Sequence, residues 1–281
     1  MIMNIIIIGE DSFSVRVFES LVEAGHSILT FVTPVYSKHQ GMIRKVAEQY
    51  GVKYNVAEDV NHEDFIEYLR TLSPELIVTV HFERLLKPEL IDIAPKGCIN
   101  IHPSLLPLYK GLAPQHWPLI NGDKETGITV HFIDEGMDTG NIILQEKIQI
   151  NDEDYISDLQ LRILPMYGSL VCKAIDKINN KDFETIKQSG KDSYYPRLKL
   201  KDTWIDCSRT KKEIYNLIRG ISYPYMGAHY SNYIIWRAEF LSEKEENKYN
   251  RVYKQPGFYI INEETALLKL VDGFLLITEY E

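Results

Sequence analysis

Cysteine is scarce: three residues in 281, at positions 98, 172 and 207. An odd number at such spacing argues against a disulfide framework or a C-x-x-C metal site, and fits a reducing compartment. Long apolar runs are missing as well. The run nearest the start, Ile5–Ile8, has no basic residues before it and does not read as a secretory signal, and no run approaches the length needed to span a bilayer. Positive charge is in deficit, with 31 Lys and Arg against 40 Asp and Glu and a net charge of −9. That balance gives no footprint for a nucleic-acid backbone or an anionic membrane. No segment repeats, and GEDSFS after the first apolar run lacks the G-x-G-x-x-G of a dinucleotide site. A cytoplasmic globular protein is expected.

What the chain does have is an alternation of short apolar runs and amphipathic stretches. NIIIIGE is a continuous β-branched run closed by glycine, as expected of a strand buried on both faces. DSFSVRVFESLVEAG follows at helical spacing, with Asp or Ser to cap it and Gly25 to stop it. SILTFVT, KYNVAE, LIVTVHF and CINIH repeat the strand pattern; HQGMIRKVAEQYG, DFIEYLRTL and KPELIDIA repeat the helical one. This alternation predicts right-handed βαβ units and an α/β fold with a doubly wound, mostly parallel, Rossmann-like sheet. GLAPQHWPLING then reads as a helix, ETGITVHFI and NIILQEKIQI as strands around the loop DEGMDTG, and residues 154–178 as one long helix. The polar segment 181–203 is expected to link a catalytic domain, 1–180, to a smaller domain, 204–281. In the latter the helix TKKEIYNLIRGI precedes YIIWRAEFL, GFYIIN, ALLKLV and FLLITEY, which predict an OB-like antiparallel β-barrel. EKEENKYNRVYK reads as a charged turn.

Within CINIHPSLLPLYKGLAPQHW the strand gives way to a loop at Asn100, His102 and Pro103. Side chains alternate along a strand, so Asn100 and His102 share one face while Ile99 and Ile101 share the other. Ligands of open α/β sheets gather beyond the carboxyl ends of the strands, where these two groups fall. An amide N–H there can hydrogen-bond an oxygen that turns negative in a transition state; an imidazole can do the same or move a proton. Asp138, in the Gly-flanked loop DEGMDTG, is the candidate third group that sets the charge of the ring. On spacing alone a structural reading stays open, with Asn100 on local backbone, His102 in the core and Asp138 forming a turn. His116 and His131 have no second ligand at metal spacing, so they read as structural and no metal is expected.

The ordered motifs N-I-H-P-S-L-L-P-x-Y-K-G-x-x-P-x-x-W, N-G, T-G-I-T-V-H and D-E-G-M-D-T-G-N-I resemble the N10-formyltetrahydrofolate-dependent formyltransferases. The match is most specific over Cys98–Gln145, and the strand–helix order extends it from Met1 to about Asn180. The resemblance implies a catalytic trio of Asn100, His102 and Asp138, and an amine attacking the formyl carbon of the folate. Asn100 and His102 would hold the oxyanion of the tetrahedral intermediate. Asp138 would favour the imidazolium and take the proton of the amine, directly or through water. N10-formyltetrahydrofolate would be the donor, between HFERLLKPEL and FIDEGMDTG. Its expected contacts are Arg84, Leu85, Leu86, Ile133, Asp134 and Glu135, chiefly through backbone.

The acceptor is sought in the rest of the chain. Residues 204–281 hold ten Lys and Arg against eleven Asp and Glu, less basic than a domain gripping tRNA should be. TWIDCSRTKKEIYNLIRGISYPYMGAHY and the strands after it resemble the second half of formyltransferases that act on UDP- or dTDP-linked amino sugars. This implies an N-formyltransferase for surface-glycan synthesis with a nucleotide-sugar substrate; the charge balance adds no nucleic-acid or membrane partner, and the aromatic and apolar positions of the final barrel suggest a homodimer. A methionyl-tRNA formyltransferase is the alternative. Ser12, Ser14, Lys110, Tyr195, Arg197 and Lys199 are the expected substrate contacts. Leu112 departs from the arginine that some members carry there for phosphate.

Overall fold

The computed structural model describes residues 2–180 and 182–281. Met1 and Lys181, the first residues of the expected catalytic domain and linker, lie outside them. The first half alternates as expected: β1 (Asn4–Gly9), α1 (Ser12–Glu23), β2 (Ser27–Pro34), α2 (Gln40–Gln49), β3 (Tyr54–Ala57), α3 (Glu63–Thr71), β4 (Leu76–Val80), α4 (Pro88–Ile91) and β5 (Cys98–His102). Then come β6 (Lys110–Gly111), α5 (His116–Asn121), β7 (Glu125–Phe132), β8 (Ile142–Gln149) and α6 (Ile156–Asn179). Seven strands form one sheet in the order β3-β2-β1-β4-β5-β7-β8. The β1–β2, β1–β4, β2–β3 and β4–β5 pairs are parallel, and β7 runs antiparallel to β5. Strand order turns back between β1 and β4, which opens a crevice at their carboxyl ends.

Local chemistry explains the framing. Ile5 to Ile8 are wholly buried, so β-branched residues on both faces suit a central parallel strand. Asp11 caps α1 by accepting from the backbone N–H groups of Phe13 and Ser14, and Ser14 returns a bond to the Asp11 N–H. Gly25, at φ +84°, ends the helix in the left-handed region.

The second half contains β9 (Tyr194–Tyr195), α7 (Lys211–Ile221), β10 (Ala228–Tyr230), β11 (Tyr233–Phe240), α8 (Glu243–Val252), β12 (Gly257–Ile260), β13 (Ala266–Leu270) and β14 (Gly273–Tyr280). Five of its strands, in the order β10-β11-β14-β13-β12, make an antiparallel sheet curled into a half-barrel. Ile214, Leu217, Ile218 and Ile221 of α7 pack against Ala228, Ile235, Leu268 and Ile277 of that sheet. One expectation fails. The stretch read as a charged turn is the ten-residue helix α8. It buries no residue, so it carries no apolar period, and a Ser242–Glu245 capping box starts it.

Compactness divides the chain into two units. One comprises residues 1–111, 127–148 and 162–194, and the other residues 112–126, 149–161 and 195–281. Among the described residues, no helix is long and apolar enough to cross a membrane.

Candidate active site

Asn100 sits on β5 between two strands that fix its amide. On one side Thr79 of β4 is in register with it, and the threonine Oγ1 donates to Asn100 Oδ1 at 2.9 Å. On the other side the partner is His131 of β7, whose Nε2 lies 3.3 Å from Asn100 Nδ2. His131 Nδ1 is 2.7 Å from the Phe132 carbonyl oxygen. That oxygen can only accept, so Nδ1 carries the proton and a neutral ring leaves Nε2 bare. Burial pushes His131 down to about 4, with Asp138 opposing the shift and His102 adding to it. The ring is therefore neutral at pH 7 and accepts one N–H of Asn100. Among the described residues no further partner is seen for that amide nitrogen.

His102, 5% exposed, donates from Nε2 to the Tyr109 carbonyl oxygen at 2.8 Å. The ring thus offers the site only Nδ1, which is 3.6 Å from Asp138 Oδ1. Asp138 Oδ2 accepts from the Gly111 N–H at 2.9 Å. The Asp138 backbone is left-handed, at φ +54°. The loop can lie this close to β7 because Gly140 has no side chain; a Cβ there would come within 1.8 Å of the Phe132 carbonyl oxygen. The turn after His102 is pinned from β7 and β8: Thr129 Oγ1 donates to the Ser104 carbonyl oxygen at 2.7 Å, and Gln145 Nε2 donates to the Leu106 carbonyl oxygen at 3.0 Å. Asn100, His102 and Asp138 converge. Among the described residues no three His, Cys, Asp or Glu side chains group as metal ligands would.

The remaining expected residues fall less uniformly. The Arg84 guanidinium lies 5.0 Å from the centre of the Tyr36 ring and donates to the Glu58 carbonyl oxygen at 3.3 Å. The Leu85 side chain is exposed, while its carbonyl accepts from Asn61 Nδ2 at 2.9 Å. Leu86 is buried among Leu90, Ala94 and Cys98, so its side chain packs a core. The Ile133 N–H donates to the Cys98 carbonyl oxygen at 2.7 Å. Asp134 closes its own turn by accepting from the Gly136 N–H at 3.1 Å and Thr139 Oγ1 at 2.5 Å. Glu135 is exposed.

Ser12 is exposed on the first turn of α1. Ser14 is fully buried, and its hydroxyl both donates and accepts within the α1 cap; the expectation that it contacts substrate is corrected on that ground. Lys110 Nζ meets Asp192 Oδ2 at 3.3 Å. Tyr195, Arg197 and Lys199 belong to the second compact unit. There the Tyr195 hydroxyl accepts from Asn121 Nδ2 at 2.9 Å, and its ring centre lies 4.6 Å from that of Trp117. Arg197 and Lys199 are exposed.

Sequence reasoning missed a second polar chain at the ends of β1 and β4. His81, at φ +49°, places Nδ1 2.7 Å from Asp11 Oδ2 and Nε2 2.8 Å from the Tyr167 hydroxyl. Burial raises the Asp11 carboxyl, but the facing His81 ring and the capped N–H groups outweigh it and hold the group below its ordinary value. It also missed Thr79, whose pairing with Asn100 follows from strand adjacency.

Comparison with known proteins follows from this geometry. A methionyl-tRNA formyltransferase from Pelotomaculum thermopropionicum is 36% identical over 86% of this chain and 80% of its own length. Another from Thermodesulfovibrio yellowstonii is 39% identical over 80% of this chain and 75% of its own. Among solved structures, WlaRD, named as a sugar 3N-formyltransferase, superposes with a TM-score of 0.73 at 24% identity, covering 100% of this chain and 98% of that one. An N-formyltransferase from Helicobacter canadensis gives 0.70 at 24%, covering both chains fully. These two likenesses speak for the fold.

The curated relatives overturn the expectation of a sugar-nucleotide acceptor, and with it the exclusion of a nucleic-acid partner. The charge count does not decide the partner, for a physical reason. Glu213 and Glu245 are used as capping residues of α7 and α8, and Glu246 and Glu279 pair with Lys211 and Arg237, so a domain total says little about the charge on any one face. The formyl transferase model matches residues 3–175 and its C-terminal domain model residues 197–281, so the chain belongs to the formyltransferase family.

Proposed function

We propose that the chain transfers the formyl group of N10-formyltetrahydrofolate to the amine of methionyl-tRNA. The observation that supports this reading is the converged trio Asn100, His102 and Asp138 in a chain up to 39% identical to methionyl-tRNA formyltransferases. The amine attacks the formyl carbon, and the formyl oxygen becomes an oxyanion. The unpartnered N–H of Asn100 donates to that oxygen. His102 Nδ1 takes the proton lost by the amine, and the Asp138 carboxylate facing it stabilises the resulting imidazolium. The same proton passes to N10 as the carbon–N10 bond breaks. This reading gives His102 Nδ1 the proton transfer, where the resemblance implied that His102 holds the oxyanion; Nε2 is engaged by the Tyr109 carbonyl oxygen.

The folate lies against the loops 84–86 and 133–135 and is read mainly by backbone. Asn61 holds the first loop in shape, accepting from the Lys87 N–H and donating to the Leu85 carbonyl. Ser12 and Lys110 remain candidates for contact with the acceptor, as do Tyr195, Arg197 and Lys199. Residues 1–180 would act as the catalytic domain and 204–281 as the domain that holds the tRNA, in the cytoplasm.

The test is a transfer assay with N10-formyltetrahydrofolate and three acceptors: methionyl-tRNA, uncharged tRNA, and a panel of UDP- and dTDP-amino sugars. Formyl-methionyl-tRNA is the expected product, with tRNA binding that weakens steeply as salt rises. Transfer to an amino sugar but not to methionyl-tRNA overturns the reading.

A further inference from the structure

The segment leaving α6, expected to be a linker, is laid across both loops that carry the trio. Ile186 exchanges two backbone hydrogen bonds of 2.8 Å with Ile142, and Asn141 Nδ2 donates to Thr185 Oγ1 at 3.1 Å. Gln188 then reaches the turn that holds Asp138. Its Nε2 is 2.8 Å from the carbonyl oxygens of both Asp138 and Gly140. Carbonyls only accept, so the nitrogen end faces them and both its protons are used. The other end, Oε1, is buried with no partner among the described residues. Farther along, Ser193 Oγ accepts from the Tyr109 N–H at 2.9 Å, and the Ser193 carbonyl accepts from the Lys110 N–H at 2.8 Å. Tyr109 supplies the carbonyl that fixes His102. Asp138 and Tyr109, at φ +54° and +60°, both lie in the left-handed region that residues other than glycine avoid.

We propose that Gln188 and Ser193 are positioning residues for formyl transfer: the strap 185–193 holds the backbones of Asp138 and Tyr109 so that the Asp138 carboxylate and His102 Nδ1 face each other. This rests on the function proposed above. Two observations separate the role from plain stabilisation. Strained backbone persists where the surroundings over-determine it, and here the strap supplies that determination on both sides of one side-chain pair. A buried amide oxygen with no partner carries a desolvation cost that an apolar side chain of the same shape would avoid. Gln188 bears this cost and donates to two carbonyls beside the catalytic carboxylate.

The variants are Gln188→Ala, Gln188→Glu (same shape, no N–H donors), Ser193→Ala and, as a control, the exposed Lys187→Ala. Both Gln188 variants are expected to lower kcat about 10- to 100-fold, as a misplaced catalytic group does, with the donor KM changed less than about twofold. Ser193→Ala is expected to lose less, and Lys187→Ala nothing. Hydrogen exchange of the 138–140 amides should accelerate in the Gln188 variants, while the β5 amides stay protected. Unchanged exchange at that turn, or faster exchange with wild-type kcat, overturns the proposal. If the wild-type chain formylates no methionyl-tRNA, the acceptor reading falls, and the exchange measurement still decides whether the strap holds the turn.

Discussion

Thr79 donates to one end of the Asn100 amide and bare His131 Nε2 accepts from the other, so the two ends are told apart by their neighbours. An amide turned the wrong way would aim oxygen, an acceptor, at a developing oxyanion. Thr79→Val keeps the shape and removes the donor; kcat should fall about tenfold, the size of one lost hydrogen bond of about 1–1.5 kcal/mol. A wild-type kcat in steady-state assays would dismiss the orienting role. For the trio itself, Asn100→Ala, His102→Ala and Asp138→Ala should each lower kcat about a hundredfold or more, the typical cost of removing one such group. Donor and acceptor binding should be largely retained in calorimetric titrations, and normal turnover in any variant removes that residue from the mechanism. That Asn100, His102 and Asp138 lie near one another was legible because the motif spacing is specific. The support from Thr79 and His131 was not, because it depends on which strands flank β5, and chain order does not say that β4 and β7 do.

At the scale of elements, caps decide more than apolar period. Helix α8 buries nothing, yet Ser242 and Glu245 exchange bonds across its first turn. Ser242→Ala should cost about 1 kcal/mol of stability, with denaturant midpoints as the readout. No change there would mean that α8 frays without consequence for the unit that carries it. The S-x-x-E signature stands in the sequence at Ser242–Glu245, but no apolar stripe follows it to mark a helix. The strap was illegible for a different reason. Gln188 and Ser193 sit in a polar stretch without period, and their partners are carbonyls and N–H groups of loops distant in sequence. His81 likewise gains its meaning only when β1 and β4 lie side by side and bring Asp11 to it.

For the molecule as a whole, two buried histidines set an acid limit. Burial pushes His116 and His131 down to about 4, against an unfolded value near 6.5. A ring whose folded value is depressed binds its proton preferentially in the unfolded chain. Its contribution to stability is therefore full above about pH 6.5 and declines as pH falls toward about 4. Unfolding free energy measured by denaturant titration should fall on going from pH 7 to pH 5, by up to about 1.4 kcal/mol per pH unit for each ring. His116→Asn keeps a donor for the Gly220 carbonyl, removes one of the two titrations and should flatten that slope. A slope equal to wild type would mean that His116 is not the neutral buried group described above.

The alternation of strands and helices and the formyltransferase family were both determined by the sequence itself. Periodicity, glycine placement and motif spacing are local properties that survive in one dimension. The tertiary structure alone decided which nitrogen of His102 faces Asp138, which end of the Asn100 amide meets Thr79 and which meets His131, and that the segment after α6 lies against the loops of Tyr109 and Asp138. Those outcomes depend on hydrogen bonds between groups far apart in the chain, and a hydrogen bond exists only when folding brings donor and acceptor within about 3 Å of each other.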